Sequence, residues 1–226
     1  MGGIDRVWHI DSMLRALRPE ASNLLDLANM RAWEAVQPVV LELIRLNVGA
    51  LIGNKAGLKR RSGTARAQGL TESKIAQLGF YYKSSDFSAD EIQLLSFAEA
   101  FVIDVSSISE RDVAVLGKGY SGAQLNELVV ALYVTECTQR LEILVPALVG
   151  GSPNQVSDRG AAAHAEGAPS HEPAGPGELV AALDRYQEAV VRGTALDPVV
   201  TEMVRLRCAR THNCRICKTL RLVDAR

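Results

Sequence analysis

The chain matches itself when it is shifted by 160 residues, and this internal repeat constrains its fold more than any other feature. The segment 36–66, VQPVVLELIRLNVGALIGNKAGLKRRSGTAR, aligns without a gap with 196–226, LDPVVTEMVRLRCARTHNCRICKTLRLVDAR. Nine of the 31 aligned positions are identical, and they include Glu42 with Glu202. A hydrophobic pattern alone does not align proline, glutamate and arginine together. We therefore expect two copies of one helical unit.

Apolar residues recur at helical spacing along the chain, and no stretch has the alternation that is typical of a strand. The first helix is expected from about Glu34, with its apolar positions at Val36, Val39, Val40, Leu43, Ile44 and Val48. Ser88 and Glu91 have the spacing of a capping box, as do Ser121 and Gln124. The pattern also predicts helix starts at Thr71 and Ser109, a helix over 59–68, and a packed aromatic cluster at 80–82. The sequence therefore predicts an all-α protein.

Composition divides the chain into three parts. Residues 1–149 are expected to form a complete helical domain that lacks a cysteine pair. Residues 150–177 hold four of the eight prolines and one large aliphatic residue, Val156, so a flexible linker is predicted. Residues 178–226 are expected to be a partial second unit, because the repeat reaches only Arg226, which is equivalent to Arg66.

The overall charge gives no indication of a nucleic-acid or membrane partner. The chain has 25 basic and 26 acidic residues. No apolar run approaches the length of a transmembrane helix, and the first residues lack the apolar region of a signal peptide. A C-x-x-C pair in a chain with only four cysteines indicates a reducing compartment, so a cytoplasmic location is expected.

Cys214 and Cys217 form this C-x-x-C pair and are the main candidates for chemistry. Asn213 is interpreted as a helix N-cap, which would place Cys214 at the first helical position and Cys217 one turn later on the same face. Such a pair can close a disulfide, and a helix N-terminus and nearby cations favour the thiolate, the reactive form of a thiol. Glu202 stands twelve positions before Cys214 and is a candidate proton acceptor or relay.

Two structural interpretations compete with redox chemistry at this segment. Cys208 continues an apolar stripe with Val200, Met203 and Val204, and is expected to be a small core residue. A zinc site is the other possibility, with Cys208, His212, Cys214 and Cys217 as its ligands. We favour no metal and no cofactor, because only one C-x-x-C is present.

The glutamate twelve residues before a C-x-x-C, the flanking ELIRL and EMVRLR helices, and the DFSADEIQLLSFAEAF helix of the first copy are the basis of a family resemblance. The chain resembles the carboxymuconolactone decarboxylase and alkylhydroperoxidase D-like family. The resemblance covers 34–149 as a complete unit and 180–226 as a partial one. It implies an all-helical bundle that associates into homotrimers or homohexamers.

The resemblance also implies a function. Many members are thiol-dependent peroxidases, which would make the substrate a hydroperoxide and the partner a thiol or dithiol reductant. Cys217 would then be the attacking thiol, Cys214 the resolving thiol, and Glu202 part of the proton relay. The family has tyrosine just before the second cysteine and histidine four residues after it, where this chain has Ile216 and Arg221. Arginine can hold a thiolate by its charge, but it cannot shuttle protons near neutral pH.

Three functions follow from these observations. The first is a thiol-redox enzyme of the peroxidase type that uses Cys214, Cys217, Glu202 and Arg221. The second is a non-catalytic helical subunit of an assembly, in which the cysteine helix is a remnant. The third is a decarboxylase-like enzyme with no redox role.

Overall fold

The computed structural model describes residues 37–148, 181, 184–185 and 196–225. Within these residues the secondary structure is entirely helical, and no strand occurs, which confirms the all-α class. The predicted linker 150–177 lies outside the described residues. The α-helices are α1 (Pro38–Ile52), α2 (Gly63–Ala67), α3 (Glu72–Ala76), α4 (Ala89–Ile103), α5 (Glu110–Leu116), α6 (Gly122–Leu148), α7 (Pro198–Thr211) and α8 (Arg215–Thr219). Short 3-10 turns lie at Gly57–Lys59, Leu78–Lys83, Val105–Ser107 and Val223–Ala225.

Helix α1 lies at the centre of the first bundle. It packs against α4 and α6, and every residue from 41 to 49 is buried. A helix that is buried all round normally carries only apolar side chains. Here Glu42 and Arg45 are buried within it, 0% and 2% exposed. Glu42 and Arg45, two of the polar residues that the repeat shares, therefore lie inside the protein. The apolar core around them includes Leu43, Ile44, Leu46, Val48, Leu94, Leu95, Ala98 and Leu132.

The predicted helix starts are confirmed by their hydrogen bonds. The Ser88 hydroxyl accepts from the backbone N–H of Glu91, whose carboxylate in turn accepts from the N–H of Ser88. Ser121 and Gln124 are joined in the same reciprocal way. Thr71 and Ser109 each cap the helix predicted to follow them. Local side-chain chemistry therefore fixes these boundaries.

Two predictions in the first bundle are wrong in detail. The helix expected over 59–68 is a 3-10 turn followed by α2, because the backbone at Arg60 is extended and Ser62 caps a new helix. The aromatic cluster is packed only at Tyr81, while Phe80 and Tyr82 are exposed. Its three residues lie on a kinked 3-10 turn, which directs their side chains to different sides.

Helix α7 begins with Asp197 as its N-cap and Pro198 at the first helical position. The expected buried stripe is wrong, because Val200, Met203 and Val204 are 44–65% exposed and Cys208 is exposed as well. Among the described residues, the short helix α8 and the 3-10 turn Val223–Ala225 make the main contacts with α7, and they leave this side uncovered. None of the helices in the described ranges is long and apolar enough to cross a lipid bilayer.

Candidate functional site: a cysteine turn held by a glutamate–arginine pair

The turn that follows α1 is held by one buried ion pair. Arg45 donates through Nε and Nη2 to the two carboxylate oxygens of Glu42, at 2.7 Å each. The same guanidinium donates through Nη1 to the carbonyl oxygen of Gly57 at 2.8 Å, and through Nη2 to that of Arg60 at 2.9 Å. The backbone N–H of Ser62 completes the set by donating to Glu42 at 3.0 Å. The pair thus fastens the turn to the helix that precedes it.

The same contacts recur 160 residues later, after α7. Arg205 donates through Nε and Nη2 to the two oxygens of Glu202, at 2.7 Å each. Its Nη1 donates to the carbonyl oxygen of Cys217 at 2.7 Å, and its Nη2 to that of Leu220 at 2.6 Å. The backbone of Leu222 helps to lower the pKa of the Glu202 carboxylate, and Leu222 is at the position equivalent to Ser62, whose N–H donates to Glu42. This turn carries the two cysteines.

The residues that end α1 and α7 also have equivalent backbone conformations. Gly53 closes α1 in the left-handed conformation, with φ of 77°. Asn213 takes the same place after α7, with φ of 51°. The prediction that Asn213 is an N-cap is therefore wrong. Asparagine is one of the few residues besides glycine that adopt this conformation readily, so it ends the helix instead.

Cys214 is the N-cap of α8. Its sulfur accepts from the backbone N–H of Cys217 at 3.3 Å, as Asn54 Oδ1 accepts from the N–H of Gly57 at 2.9 Å. The pair is therefore at the N-cap and third helical positions rather than at the first and fourth. Its sulfurs lie 2.6 Å apart as free thiols, so the predicted proximity of the pair is present.

The two thiols have opposite electrostatic environments. The hydrogen bond between the two sulfurs lowers the pKa of Cys214, and backbone N–H groups and the charge of Lys218 act in the same direction. The same bond raises the pKa of Cys217, and burial raises it further. The Arg205 guanidinium opposes that rise. The pair therefore favours a thiolate at Cys214 that accepts a hydrogen bond from a neutral Cys217.

Glu202 and Arg221 lie in the same segment, yet their polar groups are used by backbone and arginine partners. Hydrogen bonds from Arg205 lower the pKa of Glu202, so its carboxylate is ionised and already occupied as an acceptor. Arg221 donates through Nη1 to the carbonyl oxygens of Lys218 and Leu220, at 2.8 and 2.6 Å. Arg61 makes the equivalent bonds to Leu58 and Arg60 in the first bundle. Glu202 and Arg221 therefore both support the turn that carries the cysteines.

The zinc interpretation lacks its ligand set. Within the described ranges, no three His, Cys, Asp or Glu side chains are grouped so that they could hold a metal ion. Cys208 is exposed on α7 rather than grouped with the pair. The pair is thus the part of the proposed set that comes together.

Arg205 is a site residue that the sequence analysis did not single out. Its signal was present, because Glu-x-x-Arg occurs at the same place in both copies of the repeat. The spacing of three residues puts both side chains on one helix face, where they can pair. What the sequence does not reveal is that the free side of the guanidinium holds the carbonyl of a cysteine.

Comparison with known proteins finds relatives without an assigned function. The chain is 34% identical over 138 residues to uncharacterized proteins of Mycobacterium tuberculosis from the strains CDC 1551 / Oshkosh and H37Rv. The match covers 61% of this chain and 45% of each relative, so the chain spans less than half the length of these relatives. No family model matches the chain, and no solved structure matches it significantly.

Proposed function

We propose that the chain is a thiol-dependent oxidoreductase of the peroxidase type, which uses Cys214 and Cys217 to reduce a hydroperoxide. The observation that carries the proposal is the geometry of the pair: two free thiols 2.6 Å apart, one of them the acceptor of the other's hydrogen bond. A disulfide bond is about 2.05 Å long, so closure needs only a small movement. The resemblance to the alkylhydroperoxidase D-like family and the recurrence of the Glu–Arg contacts support a second, partial copy of that unit.

The reaction balances in two steps. The Cys214 thiolate attacks the terminal oxygen of the hydroperoxide, the O–O bond breaks, and an alcohol leaves after taking up a proton while Cys214 becomes a sulfenic acid. The Cys217 sulfur then attacks the Cys214 sulfur, the S–OH bond breaks, and water leaves as the disulfide forms. A dithiol reductant restores both thiols by exchange and is itself oxidised to a disulfide. A reducing location such as the cytoplasm suits this cycle.

The order of the thiols in this proposal is the reverse of the order that the family resemblance implies. The Cys214 sulfur accepts the backbone N–H of Cys217 and has the lowered pKa, so it is the better thiolate. Cys217 has the raised pKa, so it stays neutral beside Cys214, which suits a resolving thiol. Arg221 makes no hydrogen bond to either sulfur among the described contacts, so it is assigned to support of the turn.

Trapping the sulfenic acid tests this function. After one equivalent of an alkyl hydroperoxide, a dimedone-type probe should label Cys214 in Cys217→Ser, and label Cys217 far less in Cys214→Ser. The wild type should instead form the 214–217 disulfide and turn over with a small dithiol. Labelling of Cys217 alone would restore the family order, and labelling of neither cysteine would overturn the redox function.

An assembly subunit is the second candidate, and one observation favours it. Apolar side chains on α7, and Leu196 just before it, are unusually exposed. Leu196, Val199, Val200, Met203 and Val204 are 44–65% exposed. Exposed apolar patches of this kind mark association surfaces. Association of copies of the chain, as trimers or hexamers, would cover this side. Sedimentation equilibrium tests it, and a monomer at micromolar concentration would count against it.

A further inference from the structure

The Glu–Arg pair of the first bundle is a reference for what the pair does without cysteines. Arg45 is 2% exposed and holds the carbonyls of Gly57 and Arg60, in a turn where Asn54 and Gly57 occupy the places of the cysteines. That turn has no thiol at these two positions, so the contacts of Arg45 with its carbonyls show how the ion pair holds the backbone. A guanidinium bonded to a carboxylate and to two carbonyls fixes four acceptors in one plane, which lysine cannot do.

In the second turn the equivalent pair, Glu202 and Arg205, holds the backbone of one of the two cysteines. Arg205 Nη1 lies 2.7 Å from the carbonyl oxygen of Cys217, and Glu202 fixes the guanidinium on its opposite edge. The Cys214 end of the turn has a different anchor, because its backbone N–H donates to the carbonyl of Ala209 at 2.9 Å. Both ends are thus tied to α7. The separation of the two sulfurs depends on both anchors.

We propose that Arg205 is a positioning residue of the thiol pair, and that its hydrogen bond to the Cys217 carbonyl holds the two sulfurs close enough to form a disulfide. This inference rests on the proposed redox function. Arg205 acts through the position of its hydrogen bonds to the turn, and not through its positive charge alone. A lysine at this position keeps the positive charge and an ion pair with Glu202, but it cannot bond both the carboxylate and the two carbonyls of the turn.

The test is the equilibrium constant for closing the 214–217 disulfide against reduced and oxidised glutathione, measured on the full chain. Arg205→Lys should lower this constant by about tenfold, because hydrogen bonds of a charged donor are the strong ones and their loss frees the turn. Arg207→Lys is the matched control. Arg207 is exposed on the same helix, and its substitution should leave the constant unchanged.

A second measurement separates positioning from damage to the fold. In the Cys217→Ser background, Cys214 forms a mixed disulfide with glutathione, a reaction that needs no second thiol. Arg205→Lys should leave that equilibrium unchanged. If both equilibria fall together, or if Arg205→Lys closes the disulfide as well as the wild type, the positioning role is wrong. Absence of any disulfide in the wild type would instead overturn the proposed function itself.

Discussion

Arg205 donates a hydrogen bond to the carbonyl oxygen of Cys217, and Arg45 donates the equivalent bond to that of Gly57. The two turns thus share the arginine hydrogen bonds that hold their backbone, but they differ in chemistry. In the first, the Asn54 amide donates to Glu142 Oε2 on α6 at 2.7 Å. In the second, a pair of thiols takes the place of Asn54 and Gly57. Four predictions follow from this comparison and from the bundle around it.

Glu42→Gln should destabilise the first bundle by about 3 kcal/mol or more, because it leaves the Arg45 charge buried without a compensating carboxylate. Glu42 and Arg45 are 0% and 2% exposed, so solvent cannot replace the lost partner. The measurement is the free energy of unfolding from chemical denaturation. Glu72→Gln is the control: its pairs with Arg61 and Arg66 are on the surface, and their loss should change the stability little. Equal effects of the two substitutions would contradict the role of the buried pair.

The thiolate of Cys214 should form below the ordinary thiol pKa of about 8.5. Its alkylation rate is therefore expected to rise at a lower pH than that of a model thiol, because only the thiolate reacts. Cys217→Ala removes the hydrogen bond that is the main cause of the lowered pKa, so the midpoint should move to higher pH. An unchanged midpoint in Cys217→Ala would show that the neighbouring thiol does not stabilise the charge.

Asn213→Val should slow disulfide closure, because a β-branched residue adopts the left-handed conformation of this position poorly. Asn213→Gly is the matched control and should close at least as fast as the wild type, since Gly53 serves at the equivalent position with φ of 77°. Closure after rapid mixing with a disulfide oxidant measures both variants. Comparable rates for valine and glycine would show that this backbone conformation does not govern the pair.

Tyr81 should make the stability of the first bundle depend on pH in the alkaline range. Burial, followed by the hydrogen bond to Glu99, raises its pKa from 10.0 to about 12. The folded state therefore holds this proton longer than the unfolded state does. The contribution is fully present below pH 10 and is lost as the pH rises from 10 towards 12. Tyr81→Phe should flatten this part of the stability profile, whereas Tyr82→Phe, at an exposed ring, should not.

The fold was predictable where local chemistry decides it. Ser88 and Glu91 are three residues apart, and a capping box needs nothing else. Whether Cys208 is buried or exposed was not predictable in this way. An apolar stripe shows only which face of α7 another element would cover. Whether another element covers it depends on tertiary packing, and here that face is exposed.

The candidate site was likewise predictable only in part. That the Cys214 and Cys217 sulfurs lie close together was predictable from their spacing. The place of Asn213 was missed, because asparagine serves both as an N-cap and as a left-handed helix end, and the sequence alone does not choose between these roles. Arg205 was missed as a site residue because its partner is a backbone carbonyl, which has no signature in a side-chain pattern.

The count of free thiols after one equivalent of an alkyl hydroperoxide shows directly whether Cys214 and Cys217 act as a redox pair. The reduced chain carries four cysteines, Cys137, Cys208, Cys214 and Cys217. Two thiols should be lost, peptide mapping should find them joined as the 214–217 disulfide, and Cys137 and Cys208 should stay reduced. Retention of all four thiols, or loss of Cys208 while the pair stays reduced, would contradict this redox role.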